Sequence, residues 1–194
     1  YARQTGCNLR CTWCDTAYAF HGGTKMTVGE VLARVDELAG RSATMANTRT
    51  EIRLVELTGG EPLLQEEVYE LVDHLLAACY TVMVETSGER FIGRLPLEVI
   101  KIVDVKCPDS GEADTFDMEN LAALGAEDEV KFVIATRRDY EFARGFSREH
   151  DLAGRVKQIV FSPVTEDPEG KWPRLASRTL AEWILEDRLP VRLG

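Results

Sequence analysis

A chain of 194 residues with 44% hydrophobic and 29% charged residues is long enough for one domain with a substantial core and ordinary in composition for a globular protein. Its 33 acidic residues outweigh 23 basic ones, a formal net charge of −10, which argues against nucleic acid or an anionic membrane as a partner. No apolar run approaches the roughly 18 residues of a membrane span. The first residues contain no apolar leader, and five cysteines, an odd number, make a poor disulfide framework, so a reducing cytoplasm is expected. The chain does not begin with Met and is read as starting inside a longer protein and stopping short of its C-terminal end.

Cys7, Cys11 and Cys14 come first in chain order, spaced C-x3-C-x2-C. Thiolates are soft ligands that suit zinc, copper(I) or iron–sulfur clusters. A closed zinc site takes four ligands, whereas an iron–sulfur cube offers four irons. Three local cysteines therefore point to a cube with one iron open to a ligand that is not protein. On the residues alone, a zinc loop with a remote fourth ligand (His21, His74 or His150) is the alternative.

Thr27 to Leu38 predicts a helix: Thr27 is the N-cap, Glu30 stands at the capping-box position, and Val28, Val31, Leu32, Val35 and Leu38 form an apolar stripe. Ser42 to Thr50 is polar and lacks periodicity, which predicts a loop. Glu51 to Leu57 alternates as a strand does and ends at Thr58-Gly59-Gly60-Glu61-Pro62. A helix follows over Gln65 to Ala78, then a strand over Tyr80 to Glu85 that ends at Thr86-Ser87-Gly88. Cys79, at the apolar end of that helix, reads as a small core residue. The strand Ile100 to Val105 ends at Lys106-Cys107-Pro108, where Cys107 has no evident partner and is not counted as a ligand. Helices are expected over Phe116 to Leu124, Tyr140 to Arg148 and Leu175 to Leu185. Strands are expected over Val130 to Ala135 and Val156 to Phe161, the second ending at Ser162-Pro163-Val164.

Strands that alternate with helices imply a parallel sheet. The polar, Gly- and Pro-marked segments all follow strand C-terminal ends, the edge that carries the active site in open α/β sheets and in β/α barrels. Five or six strands predict an α/β fold of reduced type, an incomplete (β/α) barrel of parallel strands with one functional rim, in a single domain over residues 1–194.

The cysteine loop, with Trp13 before its last cysteine, and Gly59-Gly60-Glu61-Pro62 at a strand end together resemble the radical S-adenosylmethionine (SAM) enzymes. The finer similarity is to the 7-carboxy-7-deazaguanine synthases of queuosine and 7-deazapurine biosynthesis. It is carried by Arg3-Gln4-Thr5-Gly6-Cys7-Asn8-Leu9-Arg10-Cys11-Thr12-Trp13-Cys14-Asp15-Thr16 and by Thr58, with Glu85-Thr86-Ser87-Gly88, Asp104-Val105-Lys106-Cys107-Pro108 and Phe161-Ser162-Pro163-Val164 as later blocks. It runs from about Tyr1 to Ser162. Two departures stand out: the family's Gly-Glu-Gly segment before the first strand and its His-containing C-terminal tail are not in this chain.

The resemblance implies a [4Fe–4S] cluster on Cys7, Cys11 and Cys14, with SAM on the fourth iron. It implies SAM contacts from Trp13, Cys14, Asp15, Gly60, Glu61, Ser87, Asp104, Lys106 and Ser162. Glu61 would either orient its turn or bond the SAM amine. Thr16 would give a hydroxyl to Mg2+, while Arg3 and Thr58 would contact a pterin substrate, Arg3 through its carboxylate. The implied reaction is that of a lyase. Reductive cleavage of SAM starts the ring contraction of 6-carboxy-5,6,7,8-tetrahydropterin to 7-carboxy-7-deazaguanine, with loss of ammonia and no catalytic side chain of the usual acid–base kind. A one-electron donor such as flavodoxin and a homodimer are implied as partners. The alternatives are another compact radical SAM enzyme, such as one that activates a glycyl-radical protein, and a zinc-stabilised binding module without catalysis.

Overall fold

Thr27 accepts a hydrogen bond from the Glu30 amide while the Glu30 carboxylate takes the Thr27 amide, so the expected capping box starts helix α1, Val28–Leu38. The computed structural model describes residues 1–41, 52–165, 170, 172 and 174–194; the loop expected over Ser42 to Thr50 lies outside them. The strands are β1 (Ala2–Gln4), β2 (Leu54–Gly59), β3 (Thr81–Thr86), β4 (Ile100–Asp104), β5 (Glu129–Ile134), β6 (Gln158–Pro163) and β7 (Arg192–Leu193). The remaining helices are α2 (Glu67–Ala77), α3 (Asn120–Ala123), α4 (Arg137–Glu149) and α5 (Ser177–Glu186).

The strands follow chain order, β1-β2-β3-β4-β5-β6-β7, in one open sheet, and every ladder described is parallel. The α/β class and the open sheet of parallel strands are as the sequence predicts. The strand count is not. β1 and β7 are three and two residues long, too short to show a period of two, and the sequence reading of five or six strands omits the difference.

Two compact units make up the described chain. Tyr1–Asn8, Thr16–Glu85 and Arg94–Ile100 form the first; Leu9–Asp15, Thr86–Gly93 and Lys101–Gly194 form the second. In the first, α1 packs on α2, and Val55, Leu57, Val82 and Val84 of the strands are buried with Val68, Val72 and Leu75 of α2. In the second, Val130, Phe132, Ile134, Ile159 and Phe161 form a core with Tyr140, Ala143, Leu180 and Ile184 of α4 and α5. Phe132 meets Phe161 edge-on at 5.5 Å between ring centroids, a favoured aromatic geometry.

Several boundaries move for local reasons. The helix expected over Phe116 to Leu124 shrinks to α3, because Phe116 is extended (ψ 126°) and the Asp117 side chain takes the Glu119 amide in a turn of its own. α4 begins three residues before the expected Tyr140: Thr136 and Asp139 form a second capping box, with Asp in the place usually held by Glu or Gln. β6 starts at Gln158 and not at Val156, whose amide closes a helical turn onto the Leu152 carbonyl. Cys79 is a correction: it is exposed, at φ 61°, just past the end of α2, where the chain turns left-handed and aims the thiol away from the core.

Candidate active site

In the first unit the Gly-Gly-Glu turn lies against the start of the cysteine loop. The Gly60 amide donates to the Gln4 carbonyl at 3.1 Å and the Glu61 amide to the Gly6 carbonyl at 2.8 Å. A Cβ on Gly60 would overlap the Gly6 carbonyl oxygen and stand 2.8 Å from Cys7 Cβ; one on Gly59 would overlap the Gln4 backbone. The glycines are thus required by the close approach of this turn to the cysteine-bearing backbone. Glu61 is fully buried, and its Oε1 accepts the Leu63 amide at 3.0 Å, which caps the short helical turn Pro62–Leu64. Thr16 precedes the helical turn Ala17–Phe20 and its side chain does not cap that turn.

The first unit also presents a polar strand face. Arg3 pairs in register with Thr58, and Glu56 with Met83. Thr58 Oγ1 donates to Glu85 Oε2 at 3.1 Å. Paired residues of parallel neighbours point to one side of the sheet, so Arg3, Glu56, Thr58 and Glu85 share the face opposite Val55, Leu57, Val82 and Val84. Arg3 is exposed, and its guanidinium lies over the Tyr18 ring at 5.8 Å.

In the second unit, Thr12 anchors the middle of the cysteine loop: its amide and its hydroxyl both donate to the Ser110 carbonyl, at 2.9 and 3.1 Å. The Arg10 amide donates to Glu112 Oε1. Cys14 closes a turn onto the Cys11 carbonyl at 3.3 Å. Trp13 is half-buried and Asp15 exposed. Burial pushes the Cys11 thiol up to about 11; the Lys106 ammonium works against that, and Asp104, Cys14 and Glu112 add to it.

Asp104 and Ser87 are both buried at strand ends. Asp104 Oδ2 accepts from Lys106 Nζ at 2.7 Å, while Oδ1, buried, makes no hydrogen bond. Ser162 shares the half-buried face of β6, opposite Val133. Cys107 is buried in the apolar core, where burial holds its thiol well above the usual range.

None of the five cysteines is in a disulfide. Among the described residues no three His, Cys, Asp or Glu side chains are gathered as ligands of one metal ion. Thiolates on three corners of a cube bind three different irons, so a cube does not demand that gathering. Of the histidines weighed as a fourth zinc ligand, His150 packs against Phe146 and His74 lies near Glu70 on α2. Among the described residues no helix is long and apolar enough to cross a membrane.

Glu56 in the first unit, and Glu129 and Lys131 in the second, lie on polar strand faces and are not among the site residues read from the sequence. The signal was present in Glu129-Val130-Lys131-Phe132-Val133-Ile134, where half-buried and buried positions alternate with a period of two. A parallel strand covered by helices on both faces would be apolar throughout; these strands are apolar on one face alone.

The family model for the radical SAM superfamily matches residues 1–103. The chain is 49% identical, over its full length and 84% of the relative's, to a protein of Koribacter versatilis named 7-carboxy-7-deazaguanine synthase. A protein of the same name from Chlorobaculum tepidum is 35% identical over the full chain and 80% of its own length. Among solved structures, QueE from Escherichia coli superposes with a TM-score of 0.67 at 20% identity, covering 98% of this chain and 81% of that one. Streptococcus suis SuiB bound to S-adenosylmethionine gives 0.67 at 10% identity, over all of this chain and 48% of that one. These two likenesses concern the fold.

Proposed function

We infer the reaction from one premise: the chain belongs to the 7-carboxy-7-deazaguanine synthase family of the radical SAM superfamily. It is a carbon–nitrogen lyase that converts 6-carboxy-5,6,7,8-tetrahydropterin to 7-carboxy-7-deazaguanine with loss of ammonia. The observation that carries this is the full-length match to relatives of that name.

The family implies a [4Fe–4S] cluster and SAM, and the donor set fits them. Three thiols outside any disulfide lie within eight residues, and three thiolates leave one iron of a cube for a ligand such as SAM. When bound, these groups supply the one-electron chemistry that starts the rearrangement. The chain's own residues bind, orient and exclude water. Cys7, Cys11 and Cys14 hold the cluster. Cys11 would hold its corner of the cluster as a thiolate, without the proton that burial favours in the metal-free chain. Gly60, Glu61, Trp13, Cys14, Asp15, Ser87, Asp104, Lys106 and Ser162 hold SAM; the Asp104 oxygen without a hydrogen bond is an acceptor for a ligand hydroxyl. Arg3 and Thr58 contact the pterin, and the bond from Thr58 to Glu85 commits its hydroxyl proton and leaves its lone pairs for ligand donors.

Thr16 holds Mg2+ together with substrate oxygens, in keeping with that ion's preference for oxygen and for few protein ligands. Thr16→Ala is expected to abolish most of the stimulation by Mg2+ while iron content stays at the wild-type level; an unchanged magnesium response removes Thr16 from the site. The enzyme takes electrons from a reductant such as flavodoxin and works as a homodimer, as the family resemblance implies, and resides in a reducing cytoplasm, in keeping with its five cysteines outside any disulfide. Chromatography after anaerobic incubation with the carboxytetrahydropterin, SAM, Mg2+ and dithionite tests the reaction. An ultraviolet-absorbing deazaguanine is expected, and its absence contradicts the reading.

A further inference from the structure

Arg10 and Thr12, the two chain neighbours of Cys11, are both tied to one turn, 102 and 98 residues further along the chain and inside the same compact unit. Thr12 is held through its amide and its hydroxyl, which both donate to the Ser110 carbonyl, at 2.9 and 3.1 Å. The Arg10 amide donates to Glu112 Oε1 at 2.6 Å. The backbone is thus fixed on either side of Cys11, and Ser110-Gly111-Glu112 supplies both attachments.

The turn is itself well held. Ser110 is buried, and its hydroxyl donates to the Cys107 carbonyl at 2.6 Å and accepts the Glu112 amide at 3.2 Å. Gly111, left-handed at φ 81°, reverses the chain between the two attachments. On the far side the Asp109 amide donates to the buried Asp139 carboxylate at 2.9 Å. Glu112 stands at the N-cap of the helical turn Ala113–Thr115, where a side-chain oxygen commonly takes an amide of that turn. Its side chain makes no such bond and takes the Arg10 amide instead. The Glu112 charge adds to the pressure that keeps Cys11 protonated, so as a charge it works against a thiolate. What it offers the cysteine loop is the hydrogen bond.

We propose that Glu112 is a positioning residue for the cluster: by holding the Arg10 amide, opposite the Ser110 grip on Thr12, it fixes Cys11 for iron and slows loss of the metal. This rests on the assignment of Cys11 to the cluster, made above. A ligand anchored on both flanks is pre-organised by the residues behind it. Iron leaves through local opening of the loop, so the free energy of the bond appears as a fold-change in the release rate.

The test is the rate of iron release to a chelator from anaerobically reconstituted protein, with the paramagnetic resonance spectrum of the dithionite-reduced cluster as a second readout. Glu112→Ala is expected to release iron about three- to tenfold faster than wild type, the worth of one hydrogen bond beside water, and to broaden the spectrum. Glu112→Gln keeps an oxygen for the Arg10 amide and loses the charge, so it should match wild type or release more slowly. Tyr140→Phe weakens the link between α4 and α5 without touching the turn and should leave release unchanged. Wild-type release from Glu112→Ala overturns the proposal. So does Glu112→Gln as labile as Glu112→Ala, which assigns the effect to charge. Equal acceleration in Tyr140→Phe also overturns it, because the effect then follows overall stability. Should Glu112→Ala fail to fold, Thr12→Val decides: loss of its hydroxyl bond is expected to speed release about twofold, and an unchanged rate overturns the proposal. Wild type that holds about four irons per chain, with variants that change nothing, refutes the role of Glu112 alone. Wild type that holds no cluster refutes the assignment of Cys7, Cys11 and Cys14 as well.

Discussion

Gly60 has no left-handed backbone to excuse it, yet no side chain fits there. The missing Cβ is what lets the Gly59-Gly60-Glu61 turn bond to Gln4 and Gly6, beside Cys7. Gly60→Ala forces that turn off the loop and should cost about 1–3 kcal/mol, as overpacking does. The expected signature is a lower denaturant midpoint together with iron loss from the reconstituted protein. Wild-type stability with full iron content would show that the loop tolerates the methyl group. The glycines were legible as a motif, but their packing role was not, because nothing local in the sequence says that Gly6 lies against Gly60. Cys79 failed in the other direction: an apolar neighbourhood in the sequence read as burial, and the left-handed turn past α2 exposes the thiol.

At the scale of elements, what could be read was whatever a few neighbouring residues decide. The Thr27–Glu30 capping box and the alternation of β5 fall in that class. β1 and β7 could not be read, since their place depends on partner strands far along the chain. The link between α4 and α5 is likewise tertiary. The Tyr140 hydroxyl lies 2.6 Å from Asp187 Oδ2 and 2.7 Å from the Trp183 carbonyl, and Arg144 holds the same Asp187 oxygen at 2.8 Å. Burial, then the bond to Asp187, holds the Tyr140 phenol above the usual tyrosine range. The unfolded chain releases this proton near pH 10 while the folded protein keeps it. Stability contributed by this group is therefore complete below about pH 10 and falls as pH rises through the folded value. Tyr140→Phe is expected to unfold at lower urea than wild type at neutral pH and to lose less stability between about pH 9 and pH 11. Parallel alkaline slopes for the two proteins would mean that Tyr140 does not carry the effect.

For the molecule as a whole, acidic residues outnumber basic ones by 33 to 23. A formal charge of −10 argues against broad anionic partners. Strand-end placement of the site was legible because loops at that edge bear the polar, Gly- and Pro-marked residues. The polar face itself was not, because a strand's two sides are told apart only once its neighbours are known. The most direct measurement is the yield of ammonia and of 7-carboxy-7-deazaguanine from the anaerobically reconstituted protein, given carboxytetrahydropterin, SAM, Mg2+ and dithionite. The two are predicted to appear in equal amounts. Consumption of SAM with neither product would contradict the assigned reaction.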